Sequence, residues 1–186
     1  MAVRYSLMII LFFLCSSLIA QPTLTKIKIN KKLSIKVPAE MTPMALVDQN
    51  QKFAVGRKII AAFNTSDGDA VMSINSNSFQ WTTGNLEILR EFYRASQMNL
   101  YNEVFYIQDT IKEINGRMFI VFEFEGKILD EENTLRGSTV VSNYNYYQYT
   151  IYGEYVLLFS FVAPNRRSIY WQPTVNELME SVILKD

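Results

Sequence analysis

The residues able to do chemistry are few, and the missing types decide more than the present ones. The 186-residue chain has no histidine. Ser-His-Asp and Cys-His nucleophile systems, His-ligated zinc or iron, and the usual general base near neutral pH therefore fall away. A single cysteine, Cys15, allows neither an intrachain disulfide nor a cysteine-rich metal centre. Oxygen ligands remain, and these suit hard cations. Asp67-Gly68-Asp69 starts like a calcium loop, but the position where such a loop carries its bidentate glutamate is Ser78. An acidic turn is the simpler reading. Asp130-Glu131-Glu132 forms a second acidic cluster in a polar stretch and reads as solvated. Glycoside hydrolysis needs two carboxylates facing each other across a cleft, and no spacing in the chain pairs two acids that way. The sequence points away from catalysis, and from a resident metal or other cofactor.

Two neighbourhoods suit recognition better. Arg166-Arg167 lies just before Tyr170-Trp171, and arginine and aromatic residues are enriched at interface hot spots. The competing reading makes Tyr170 and Trp171 caps on the core. Tyr144, Tyr146, Tyr147, Tyr149, Tyr152 and Tyr155 crowd a second stretch. Alternate residues of a strand face opposite sides, so tyrosine would occur on both. Either some rings line a surface or groove, or they form ladders that stabilise a hairpin. The expected partner-binding residues are Tyr144, Tyr146, Tyr147, Tyr149, Arg166, Arg167 and Trp171, with the partner meeting whichever tyrosines stay wet. Asp109-Thr110-Ile111 resembles the short Asp-Ser/Thr-aliphatic acceptor of O-glycosylation in exported proteins of some Gram-negative lineages, which would modify Thr110. Eighteen Lys and Arg balance eighteen Asp and Glu, which leaves no basic stripe for nucleic acid.

The elements that must position these residues begin after an addressing segment. Arg4, the apolar run Leu7–Leu14 and the small residue Ala20 read as a secretory signal peptide over residues 1–20. The apolar run is short of the ~20 residues a membrane-spanning helix needs. Leu14 stands before Cys15 where a lipoprotein signal wants Gly, Ala or Ser. The expected mature chain is one domain over residues 21–186, periplasmic or secreted, starting at Gln21.

Strands dominate that domain. Lys26-Ile27-Lys28-Ile29 and Leu33-Ser34-Ile35-Lys36-Val37 alternate around Asn30-Lys31-Lys32, which predicts a hairpin with a cationic, water-facing side. Pro38 and Pro43 bracket a loop. Residues 58–64 and 70–75 flank Asp67-Gly68; residues 104–107 and 111–114 lead to Asn115-Gly116, with 117–125 beyond it. Asp-Gly and Asn-Gly between apolar runs are strong hairpin signals, because glycine accepts positive φ. Tyr146–Tyr152 and Tyr155–Ala163 form another hairpin, the second strand more central because it is apolar on both faces. Lys127 to Ser142 reads as a polar loop, and Pro164-Asn165-Arg166-Arg167 breaks the sheet.

Two helices interrupt the hairpins. Leu86, Leu89, Phe92, Tyr93 and Met98 mark the inner side of a helix from Leu86 to about Tyr101. A capping box with Thr174 as N-cap and Glu177 three residues on predicts the start of the closing helix. Its inner side carries Val175, Leu178, Met179, Val182 and Ile183. The chain is thus α+β, an antiparallel β-sheet flanked by helices in an α/β/α sandwich.

This order of elements resembles the PsbP/Mog-like superfamily, including DcrB-type exported bacterial proteins. The resemblance runs from the Lys-rich hairpin through the Asp67-Gly68 and Asn115-Gly116 hairpins to Gln148-Tyr149-Thr150-Ile151-Tyr152-Gly153, Tyr155–Phe161 and a terminal helix near Glu180-Ser181-Val182. It spans nearly all of the mature chain at the level of pattern. It implies binding or assembly factors, such as a photosystem extrinsic subunit, a Ran-binding import factor and secretion-effector chaperones, with no shared catalytic residues. The chain departs from the photosynthetic branch in having no histidine for that branch's metal contacts. The function this implies is a non-enzymatic envelope protein acting on another envelope protein as a binding or assembly factor. A carrier of a small apolar ligand is the alternative, and a carboxylate-dependent hydrolase a third.

Overall fold

A computed structural model describes residues 22–45, 48–49, 53, 58–78, 81–130 and 139–185. The signal-peptide segment, Cys15, Glu131 and Glu132 lie outside the described residues. The strands are β1 (Leu24–Lys28), β2 (Leu33–Pro38), β3 (Met41–Pro43), β4 (Lys58–Thr65), β5 (Val71–Ser78), β6 (Glu103–Ile114), β7 (Arg117–Asp130), β8 (Thr139–Tyr152), β9 (Tyr155–Pro164) and β10 (Ile183–Leu184). Helix α1 spans Leu86–Leu100 and helix α2 spans Ser168–Glu180.

Seven strands form one antiparallel sheet in the order β3-β4-β5-β9-β8-β7-β6, and three form a smaller antiparallel sheet, β1-β2-β10. The predicted hairpins are present. Gly68, Asn115, Gly116 and Gly153 hold their turns with φ of 71°, 49°, 79° and 60°. Asn115 and Gly116 are both left-handed, as a two-residue hairpin turn matched to strand twist requires.

The large sheet is covered on both sides. On one face Phe63, Met72, Ile74, Phe119, Tyr146 and Phe159 meet the small sheet through Leu33, Ile35 and Val37, and α2 through Trp171, Val175 and Leu178. On the other, Ile120, Phe122, Phe124, Tyr149, Ile151 and Val156 pack on Leu89 and Tyr93 of α1. At about 1.5–3 kcal/mol for each large apolar side chain enclosed, these two layers hold the fold without any crosslink. The α+β architecture matches the sequence expectation, and β9 is the middle strand of the seven.

Five expectations are corrected. Phe92 and Met98 are 46% and 60% exposed, and α1 instead buries Leu89, Tyr93 and Gln97. That i, i+4, i+8 line is a narrow seam, and Phe92 and Met98 fall to its sides. The polar segment from Lys127 to Ser142 is strand at both ends, since β7 runs to Asp130 and β8 starts at Thr139. The Thr174 capping box is not a helix start: α2 begins six residues earlier, encloses Thr174 and carries Pro173 inside. Proline removes one helical hydrogen bond, at a cost of about 3 kcal/mol, which the buried Trp171, Val175 and Leu178 offset. Val182 and Ile183 follow α2 rather than belong to it, and Ile183 joins β10. The segment bracketed by Pro38 and Pro43 holds β3, an edge strand, where proline's missing N–H is tolerated.

Candidate functional site

The tyrosine stretch is interior. Tyr144 and Tyr146 are fully enclosed and Tyr149 is 5% exposed, while Tyr147 is half-buried. The expectation of a wet tyrosine face on β8 is therefore corrected for Tyr144, Tyr146 and Tyr149. Strand β8 lies between β7 and β9, under α2 on one side and α1 on the other, so both faces of its Tyr144–Ile151 stretch are covered. Tyr149 stacks on Tyr93 of α1 with ring centroids 3.9 Å apart. The polar residues interleaved with these tyrosines, Asn145, Gln148 and Thr150, are buried too, each with a partner. Thr150 donates to the Met118 carbonyl at 2.9 Å, and the Gln148 amide donates to the Met179 carbonyl at 3.3 Å. Asn145 Oδ1 accepts from the hydroxyls of Tyr101 and Tyr147 at 3.1 and 3.3 Å.

Beneath α2 the same strand meets a buried carboxylate. Glu123 of β7 is fully enclosed, and its Oε1 accepts from Tyr144 at 3.0 Å and from the Gln172 amide at 2.7 Å. Its Oε2 accepts from the Gln108 amide at 2.6 Å. The donors are neutral and come from β8, α2 and β6. Burial, and then the Glu123 charge, push the Tyr144 and Tyr146 hydroxyls well above the ordinary tyrosine range. Glu123 itself is enclosed, with half-buried Gln108 and Gln172 at the rim, and the cluster ties α2 to the sheet.

Trp171 is enclosed, with its ring 5.1 Å from that of Phe161. It caps the core. Arg166 and Arg167 are instead engaged by the β4–β5 turn: Arg166 bonds Asp69 at 2.8 Å and Arg167 bonds Asp67 at 3.1 Å. The Thr65 hydroxyl, the Asp69 backbone N–H and Arg167 hold the Asp67 carboxyl below its ordinary range. Asp67-Gly68-Asp69 is thus a turn that fastens the Arg166-Arg167 segment. Asp109 lies on edge strand β6 in ion pairs with Arg90 and Arg94 at 3.0 and 3.2 Å, next to half-buried Thr110. Among the described residues no group of three or more histidine, cysteine or acidic side chains is placed to hold a metal ion.

An opening that the sequence did not indicate lies where the two sheets part. The small sheet covers the large one only up to the β1–β2 turn. Beyond it, Leu33 and Leu157, 2% and 4% exposed, form the floor of a groove of about 650 Å³. Half-buried Ile59, Ile60 and Leu184 extend this apolar lining, and Tyr152 and Tyr155 line its far end. Lys31 and Lys32 stand on the small-sheet bank and Lys58 on the large-sheet bank, all exposed. Asn30 pins the lysine turn, its Oδ1 accepting from the backbone N–H groups of Lys32 and Leu33 at 2.8 and 2.9 Å. The Lys32 ammonium and the Arg117 guanidinium lie 5.8 and 5.4 Å from the centroid of the Tyr152 ring, within range of cation–π attraction. The lysines of the turn predicted at Asn30-Lys31-Lys32 thus supply one bank. The signal for the other is Lys58, the charged residue that opens the apolar run Ile59-Ile60-Ala61-Ala62-Phe63.

A second exposed feature is the outer end of the β7–β8 ladder. Ile128 and Leu129 pair with Val141 and Val140, and all four are between 39% and 52% exposed.

No protein-family model matches the chain, and no curated protein matches it. Solved structures do. The cyanobacterial PsbP (CyanoP) of Synechocystis superposes with a TM-score of 0.61 over 90% of this chain and 96% of that one, at 9% identity. PA94 of Pseudomonas aeruginosa, a protein of unknown function, covers 90% and 99% at a TM-score of 0.50 and 9% identity. LpqN of Mycobacterium tuberculosis, described as involved in cell envelope biogenesis, covers 88% and 91% at a TM-score of 0.50 and 8% identity. The chain has a PsbP-like fold, in agreement with the resemblance read from its order of elements.

Proposed function

We propose that the chain is an exported, non-enzymatic binding protein of the cell envelope that holds a small, largely apolar molecule in the groove between β2 and β9. The observation that carries this reading is the groove itself, where Leu33 and Leu157 continue the main core into an opening the small sheet leaves uncovered. An opening of about 650 Å³ lies within the range of small-molecule sites, which are mostly apolar with a few polar groups. Export rests on Arg4, Leu7–Leu14 and Ala20. Among the described residues no helix is long and apolar enough to cross a membrane. The absence of histidine, and a buried Glu123 committed to three neutral donors, support a role outside catalysis.

The test is native mass spectrometry of the protein purified from the envelope, paired with displacement of a fluorescent apolar probe. A co-purified small molecule, and probe binding lost in Ser76→Trp, are the expected results. Ser76 is half-buried in the groove lining, so tryptophan there fills the opening. A bare chain whose probe binding survives Ser76→Trp overturns the proposal.

A second reading, assembly of another envelope protein, is supported by Leu129 and Val140, exposed cross-strand partners on one face at the outer end of the β7–β8 ladder, because adjoining exposed apolar side chains mark interaction surfaces. Crosslinking in envelope extracts that captures a defined partner in the wild type but not in Leu129→Asp/Val140→Asp favours it.

A further inference from the structure

We infer that the groove selects single-chain amphiphiles with an anionic head, specifically free fatty-acid carboxylates, their tail on Leu33 and Leu157 and their head between Lys32 and Lys58. The inference deepens the groove reading above and rests on it. Three lysines line the mouth and, among the described residues, no aspartate or glutamate does. Among the described residues none of Lys31, Lys32 and Lys58 has an ion-pair partner, which they share with Lys26, Lys28 and Lys185; what sets them apart is their place around an apolar floor. The unpaired ammoniums stand on both banks above an apolar floor, so the site presents the charge opposite to a carboxylate directly beside the surface that would take a hydrocarbon chain.

The cations are lysines, not arginines. An ammonium acts as a point charge and lacks the planar fork that reads oxygen geometry, so it suits a head recognised by charge, with the chain length read by the floor. The open, about 650 Å³ groove matches one acyl chain rather than the paired chains of a bilayer lipid. Asn30 and the backbone bond from Lys185 to the Lys32 carbonyl at 2.9 Å hold the lysine bank in place before any ligand arrives, which lowers the ordering cost of binding.

Calorimetry or probe displacement with laurate, dodecanol and dodecyltrimethylammonium, each below its micelle threshold, tests this. The expected order is laurate about tenfold tighter than dodecanol at low salt, with the cation weakest. Lys31→Gln/Lys32→Gln/Lys58→Gln should bring laurate to the dodecanol level and leave dodecanol unchanged, and its exposed positions should leave thermal unfolding unchanged. Equal binding of laurate and dodecanol overturns the anion inference while the groove reading stands. Absence of binding by any of the three overturns both. Laurate binding that survives Ser76→Trp, or binding to phosphatidylglycerol vesicles without binding to laurate, places the contact on the lysine surface and also overturns the inference.

Discussion

Tyr144 donates its hydroxyl to Glu123 Oε1 at 3.0 Å with both side chains fully enclosed, so a carboxylate sits inside the main core with neutral donors as its solvation. The two glutamine amides complete the set from β6 and α2. Every donor points at an oxygen, and the site has acceptor geometry only.

Glu123→Gln places an amide NH2 against one of these donors. An unmatched buried polar group costs about 1–3 kcal/mol, so urea unfolding should show a loss in that range. Glu123→Gln as stable as the wild type would mean that the three donors find other partners.

The pH dependence follows from the same site. Burial raises the Tyr144 and Tyr146 pKa above the unfolded value of about 10. The folded state then keeps protons that the unfolded chain releases. Stability is fully present below about pH 10 and falls as pH rises beyond it, by about 1.4 kcal/mol per pH unit for each such tyrosine. Among the described residues Tyr146 Oη has no hydrogen-bond partner, so Tyr146→Phe should cost nothing at pH 7. It should remove one tyrosine's share of the alkaline loss, read from urea midpoints between pH 9 and 11. An alkaline slope identical to the wild type contradicts the assignment.

Trp171 and its arginine neighbours separate core from surface. Trp171→Ala empties an enclosed site against Phe161 and should cost about 3–5 kcal/mol. Arg166→Ala breaks an exposed pair with Asp69 and should cost no more than about 1 kcal/mol. Thermal unfolding of the two variants checks the contrast, and similar losses would refute it.

Much of the fold was legible because hairpin turns are local. Asp67-Gly68 and Asn115-Gly116 announce left-handed backbone, and the turns form there. The burial of Tyr144 and Tyr146 was not legible, because alternation says which side of a strand a residue faces and not what covers that side. The helix start was misread for a related reason: Thr174 and Glu177 have capping-box spacing, but enclosure of Trp171 carries α2 through Pro173 to Ser168. The groove depends on where the small sheet stops short of β4 and β5, a relation between segments far apart in the chain. Its lysines were visible as the wet side of a hairpin, and their facing Lys58 across an opening was not.

One close approach in the second core yields a further test. A Cβ on Gly126 would come within 2.5 Å of the Tyr101 ring, whose hydroxyl bonds Asn145 and Tyr147. Gly126→Ala should cost about 1–3 kcal/mol. In a Tyr101→Ala background the same change should cost at least 0.5 kcal/mol less, roughly the smallest coupling expected of residues in contact. A double-mutant cycle in urea reads this, and strict additivity would show that the ring moves aside freely.

Strand β10 pairs with β2, the last strand of the chain with the second, and β9 joins β5 across some eighty intervening positions. During synthesis the Lys-rich hairpin emerges ahead of the large sheet, yet among the described residues the outer edge of β2 has no strand neighbour until Ile183 and Leu184 arrive. The middle strand of the large sheet likewise comes after six of its companions. Such late, distant pairings slow folding and leave aromatic strands uncovered meanwhile. A ribosome that stalls before residue 183 would therefore release a molecule whose first hairpin is unfastened.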